Sequence, residues 1–240
     1  MQEALCRELG LQTPLICWHA RRDDLIEFVC TLSLVTAAVG NIAHEIITLQ
    51  RTEIGELEEP HASTKVGSST MPHKRNPMMC ESVLGLARLA RQHAALAIDS
   101  SLNENERDWS TVQAEWAFVG ESCLLAAVAL DQIAPVLSGL TVNVERMRAN
   151  LGLTGGLMLS EAVMMRLAQT MGRLRAHDVV HELAMTSHED GIPFAQLLVQ
   201  DPRVSSILSR SQIDQLLDPA SYTGLATDMV DRVLSRLATS

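Results

Sequence analysis

The sequence predicts an all-α protein, and three observations carry that prediction. Apolar residues recur in steps of three and four, at 25, 28, 29, 32, 35, 39, 42, 46 and 49. That spacing keeps them on one side of a helix. The apolar share is 47% but the aromatic share only 3%, so a core must be built from Leu, Ala, Val, Ile and Met, a palette that favours helix over sheet. Strand-like alternation of useful length is absent from the sequence, as is any internal repeat of solenoid length.

Taken in order, the first long helix is expected from Arg22 to about Arg51, where neither proline nor a cluster of turn formers interrupts the pattern. At 1.5 Å per residue it extends roughly 45 Å, a length that suits an elongated bundle. The stretch 53–77 contains Gly55, Pro60, Gly67, Pro72 and Pro77 among Ser63, Thr64, Ser68, Ser69 and Thr70, and is expected to be a loop. A loop beyond about fifteen residues in a compact protein is usually functional or disordered. Helical patterning resumes over 78–98 and 110–137, the latter with Pro135 near its end, and a short helix is expected at 143–150 with Asn143 as its N-cap. Gly152, Gly155 and Gly156 then mark a boundary. The expected domains are 1–152, part of a long helical bundle carrying the loop 63–77, and 153–240, a small helical domain. Helices of the second are expected at 158–171, 174–190 and 219–237, jointed at Pro193, Pro202 and Pro219.

Composition narrows the function classes. Nineteen basic against twenty-nine acidic side chains leave a net charge of −10, which repels phosphate backbones and argues against nucleic acid. No apolar run of about eighteen residues is free of charge, so no membrane span is expected. Glu3, Arg7 and Glu8 interrupt the N-terminus where a secretory signal needs an apolar run. The five cysteines have no CxxC spacing and read as reduced thiols, which makes the cytoplasm the expected location. His177 and His181 have a spacing that suits a metal. With no third ligand apparent, they read as a solvated helix face, and no metal is expected.

The candidate chemistry lies in Gly67-Ser68-Ser69-Thr70-Met71-Pro72-His73-Lys74-Arg75-Asn76-Pro77. Glycine admits close backbone approach, consecutive N–H groups in such a turn bind anions, and Lys74 and Asn76 are suited to a carboxylate. It is not a P-loop, because no glycine precedes Lys74 and no Ser or Thr follows it. Read alone, the segment is equally an ordinary Ser/Pro-rich connection.

GSSTMPHKRNP resembles the signature loop of the fumarase/aspartase superfamily, G-S-S-x-M-P-x-K-x-N-P, at every fixed position. The segments WHARRDDLIEF, TEIGELEEP, ENERDWSTVQAEW, RMRANLGLTGGLMLSEAV and LLDPASYTG extend the resemblance. They place it in the branch of the 3-carboxy-cis,cis-muconate cycloisomerases and adenylosuccinate lyases. The resemblance implies proton removal beside a carboxylate, with Ser68 as the base and an aci-carboxylate accepting the charge. It implies Lys74 and Asn76 as carboxylate binders, Ser69 and Met71 as backbone N–H donors, and no cofactor. Arg107 and Ser110 match an E-R-D-x-S element that contributes to substrate binding, although Glu106 and Asp108 are placed to neutralise Arg107. His19 precedes the long helix, where it suits either a substrate contact or a cap. His73 occupies a variable position of the motif and carries no assigned role.

Departures refine the substrate. Adenylosuccinate lyases carry S-x-x-E-R after that element, where this chain reads Thr111-Val112-Gln113-Ala114-Glu115-Trp116, and Trp18 stands in place of a glutamine. Loss of the phosphate-binding arginine removes charge-assisted bonds and favours a small polycarboxylate over a nucleotide. The expected reaction is 3-carboxymuconate lactonisation; the alternatives are a fumarate-releasing C–N lyase and a non-catalytic helical scaffold. The resemblance covers the C-terminal half of family members and lacks the histidine-bearing segment assigned to the leaving-group end. It implies a homotetramer whose sites are assembled from three subunits, so the chain is expected to carry the base loop without its acid.

Overall fold

The computed structural model describes residues 1–16, 19–60, 71 and 74–239. Its contacts divide the chain into two units, Met1–Asn143 and Val144–Ser240. The division falls ahead of the glycines at 152–156, so the short helix after Asn143 is grouped with the second unit.

The first unit contains α1 (Gln2–Glu8), α2 (Asp23–Leu49), β1 (Leu57–Glu58), α3 (Met78–Asp99), α4 (Trp109–Ser138) and β2 (Thr141–Val142). Helices α2, α3 and α4 pack against one another in all three pairings. Val39, Ala43 and Ile46 of α2 meet Cys80 and Val83 of α3 and Ala129, Ile133 and Val136 of α4 in one core cluster. Val29, Ala97 and Phe118 form a second cluster. Consecutive helices therefore run antiparallel, and the start of α2 lies beside the start of α4. There Arg22, only 8% exposed, forms an ion pair of 2.7 Å with Glu115.

Small side chains set the spacing. A Cβ added to Gly40 of α2 would stand 3.0 Å from the Cβ of Ala87 on α3. By length and hydropathy, α2 and α4 would each suffice to cross a membrane. The core helix of a bundle passes the same measure, which rests on length and composition only. Both helices bury residues against α3, yet Leu34, Leu89 and Leu124 remain 72%, 52% and 67% exposed.

The expected loop contains a strand. Leu57 and Glu58 pair antiparallel with Thr141 and Val142, in the register Leu57↔Val142 and Glu58↔Thr141. Two residues per strand show no alternation, which is why the pattern passes unnoticed in the sequence. The Glu56 N–H donates to the Leu49 carbonyl at 2.9 Å and the Asn143 N–H donates to the Glu56 carbonyl at 2.9 Å. These bonds fasten the ribbon to the end of α2.

The second unit contains α5 (Val144–Leu151), α6 (Ser160–Met171), α7 (Arg173–Asp190), α8 (Phe194–Gln200), α9 (Pro202–Ser205), α10 (Arg210–Leu216) and α11 (Ala226–Ala238). Val163, Leu167, Val179, Phe194, Leu198, Val204 and Ile213 form its core. The single helix expected over 219–237 is instead a 3₁₀ turn, Pro219–Ser221, followed by α11. Gly224, at φ +56°, lies between them, in a conformation that glycine adopts without strain.

The contact at Gly40 yields a test. An alanine in an open helix interior gains about 1 kcal/mol over glycine, whereas overpacking a filled core costs about 1–3 kcal/mol. Gly40→Ala is therefore expected to lower thermal stability by about 1 kcal/mol, and adding Ala87→Gly is expected to restore part of it. A thermal melt in which Gly40→Ala alone is stabilising would refute the close packing of α2 on α3.

Candidate active site

Helix α3 begins after Pro77, which supplies no side-chain cap. The first N–H groups of a helix need acceptors from elsewhere. Glu59 provides them from the far side of the loop: Met79 N–H donates to its Oε1 at 3.1 Å and Cys80 N–H to its Oε2 at 2.9 Å. The carboxylate is buried, with Glu59 only 8% exposed. Two charge-assisted bonds and the positive end of the helix dipole offset its loss of water.

Gln50, just past the end of α2, holds the same neck. Its Oε1 accepts the Glu59 N–H at 2.8 Å, and its Nε2 donates to the Arg75 carbonyl at 3.4 Å. The Arg75 guanidinium forms an ion pair with Glu58 of β1. Behind the neck, burial pushes the Cys80 thiol up to about 12, helped by its hydrogen bond to Glu59 and the negative charges of Glu59 and Glu81. Cys80 is therefore an un-ionised core side chain rather than a nucleophile.

In front of the neck lies an open cavity of about 740 Å³. Met71, Lys74 and Asn76, three of the sequence-predicted site residues, all line it, together with Arg51, Glu53 and Glu81. Lys74 N–H donates to the Met71 carbonyl at 3.0 Å, and Met78 N–H to that of Asn76 at 2.9 Å. Ser68 and Ser69, like His73, lie outside the described residues.

The other predicted residues are elsewhere in the unit. His19 lines a separate hollow of about 560 Å³ with Arg21, Arg22 and Glu115. Arg107 and Ser110 are exposed at the head of α4. Helix α2 has 27 residues, so its two ends are roughly 40 Å apart at 1.5 Å per residue. Because α4 starts beside the start of α2, these residues lie at the opposite end of the bundle from Lys74, and one chain does not bring them together.

Ser110 has a local task. Asp108 caps α4 by accepting the Ser110 N–H at 3.0 Å, and the Ser110 hydroxyl donates to the same oxygen at 2.6 Å. The carboxyl of Asp108 is held below its ordinary range by that hydroxyl and by the Glu104 and Ser110 N–H groups. Next to it, Trp109 and Trp116 meet edge to face with ring centroids 5.7 Å apart, both exposed. In the second unit, the rings of His177 and His181 stack at 5.9 Å. Among the described residues no group of three or more His, Cys, Asp or Glu is disposed to hold a metal ion.

Sequence reasoning missed Gln50, Glu59 and Glu81. Glu59 belongs to the acidic run 53–59, which reads as a solvated surface. Gln50 is an ordinary polar residue at a helix end. Glu81 follows the motif on the first turn of α3, and only the cavity marks it.

Comparison with known proteins agrees in direction. Residues 1–91 match the model of the lyase family, and residues 156–233 match that of the adenylosuccinate lyase C-terminus. The chain is 41% identical over 232 residues to a 3-carboxy-cis,cis-muconate cycloisomerase of Pseudomonas aeruginosa, covering 97% of this chain and 50% of that protein. It is 40% identical over 226 residues to an N-acetyl-S-(2-succino)cysteine lyase of Dickeya dadantii, covering 94% of this chain and 50% of that one. The crystal structure of the 3-carboxy-cis,cis-muconate lactonizing enzyme from Pseudomonas putida superposes with a TM-score of 0.89 at 39% identity, covering 98% of this chain and 52% of that one. The chain thus spans about half the length of the curated relatives it matches.

The Asp108 cap predicts a pH dependence. A carboxyl whose folded pKa is depressed contributes stability that is present above its unfolded value and lost as pH falls through the folded one. Protection of the Glu104 and Ser110 amides against hydrogen exchange, corrected for intrinsic rates, should therefore fall below about pH 4. Ser110→Ala should move that loss to higher pH. Protection unchanged across this range, in parent and variant alike, would refute the cap.

Proposed function

The chain belongs to the fumarase/aspartase superfamily, and from that membership we propose that it carries the base loop and carboxylate-binding residues of a lyase or cycloisomerase acting on a small polycarboxylate. The observation that carries the reading is the convergence of Lys74 and Asn76 on one open cavity beside the signature loop.

The chemistry is proton abstraction from carbon beside a carboxylate. Ser68 removes the proton, and the developing charge moves onto the carboxylate as an aci-carboxylate. An ordinary serine is too weakly acidic for this, so the loop's N–H groups and a cation must stabilise its alkoxide. The Lys74 ammonium, a compact point charge, and the Asn76 carboxamide stabilise the charge on the substrate. In lactonisation read in the ring-opening sense, the carbon–oxygen bond then breaks and the lactone oxygen leaves as a carboxylate. The reverse adds that carboxylate to the activated double bond. The reaction needs neither metal nor organic cofactor.

Trp116 stands where the nucleotide-cleaving relatives resembled by the sequence carry an arginine, which favours a small polycarboxylate. The 41% identity to a 3-carboxymuconate cycloisomerase supports lactonisation as the particular reaction. A second reading, release of fumarate from a succinylated amine or thiol, is favoured by the 40% identity to a succinocysteine lyase. It uses the same proton removal with a different leaving group. A homotetramer is proposed for both: His19, Arg107 and Ser110 lie at the far end of the bundle, and the exposed Leu34, Leu89 and Leu124 leave apolar faces for further helices.

The test is a substrate panel with the protein and its Ser68→Ala and Lys74→Ala variants. Loss of muconate absorbance, against appearance of fumarate from a succinylated thiol, separates the two readings. Each variant is expected to lower kcat/KM by about a hundredfold or more. Equal background rates for parent and Ser68→Ala on every substrate would reduce the chain to a helical scaffold.

A further inference from the structure

We propose that Glu59, backed by Gln50, is a positioning residue that sets Lys74 and Asn76 for carboxylate binding; the inference rests on the reading of Lys74 as the binding cation.

The capping pattern is the first argument. Helices α4, α9 and α10 are capped by the residue directly before them: Asp108, Asp201 and Ser209. Helix α3 is capped by a carboxylate from 20 and 21 residues upstream. A local Asp or Ser in place of Pro77 would satisfy the same N–H groups. A cap from a residue so far upstream does something a local one does not, because it holds Glu59 against the head of α3. The clasp fixes the distance between Glu59 and the first turn of α3.

The second argument is where the clasp acts. The backbone of Glu59 and the carbonyl of Arg75 are joined through one carboxamide, that of Gln50. Arg75 sits between Lys74 and Asn76, and its guanidinium is tied to Glu58. The segment bearing both binding side chains is thus held by consecutive residues of the β1 edge, Glu58 and Glu59. Pro60 follows Glu59 directly. A Cβ at Gly139 would stand 2.9 Å from the Pro60 Cβ, so the end of α4 supports the same edge from outside.

The third argument concerns charge. The head of a helix is a natural anion site, with N–H groups that need acceptors and the positive end of the helix dipole. Glu59 already fills that of α3. A substrate carboxylate in the cavity is therefore left to Lys74 and Asn76, and is not drawn toward the first turn of α3. Glu59 so acts on binding in two ways, by anchoring the segment and by closing a competing site.

The experiment titrates the intact protein with tricarballylate, an unreactive tricarboxylate, by calorimetry. Thermal midpoints and amide exchange at Met79 and Cys80 are measured alongside. Lys74→Ala should lose binding. Glu59→Ala should weaken it roughly tenfold, as displaced first contacts do, and should raise exchange at both amides. Glu59→Gln, which keeps one carbonyl oxygen for one N–H, should recover part of the affinity at a thermal midpoint close to the parent's. It carries the test if Glu59→Ala fails to fold. Parent-like binding by folded Glu59 variants, with binding lost in Lys74→Ala, overturns the positioning role and leaves the functional reading standing. Full binding by Lys74→Ala, or none by the parent, overturns the functional reading and this inference with it.

Discussion

The first unit turns on an elementary constraint: the initial N–H groups of α3 require acceptors, and Pro77 offers no side chain to provide one. The buried carboxylate of Glu59 meets that requirement from 20 residues upstream. A carboxylate so placed must itself be held, because a poorly satisfied buried charge is costly. Gln50 fixes its backbone, Pro60 lies against Gly139, and the β1–β2 ribbon anchors the strand from which it comes. The site's geometry follows from a helix that starts without a cap of its own.

The bundle gives that arrangement its foundation. Small residues bring α2 and α3 close at Gly40 and Ala87, so the last turn of α2 and the first of α3 meet at one end. Gln50 and Glu59 can then span the gap with single side chains. The length of the bundle also separates the residues that the sequence picks out. Lys74 and Asn76 occupy one end, and His19, Arg107 and Ser110 the other, with roughly 40 Å of helix between them.

Much of this was legible in the residues. The long helices announce themselves because a 3.6-residue period repeated over many turns is a strong signal, and α2, α3 and α4 lie within a residue or two of their expected bounds. Lys74 and Asn76 were legible as a pair because the ordered motif around them is specific. Glu59 was not: within an acidic run, one carboxylate that turns inward looks like those that face water. Nor was the ribbon, whose strands are too short to show a period. The weaker tail pattern over 219–237 was read as one helix, whereas a 3₁₀ turn and Gly224 divide it.

What the sequence determined by itself was therefore what depends on local pattern: the helical class, the three long helices, and an ordered motif of eleven consecutive residues. What only the tertiary structure decided was which side chains meet. Ser110 serves a cap at the head of α4, Lys74 faces a cavity, and Glu59 closes the neck behind it. The physical reason is separation along the chain. Helix periodicity and turn chemistry act over a few residues, whereas a carboxylate that caps a helix 20 residues away depends on how α2, α3 and the ribbon pack.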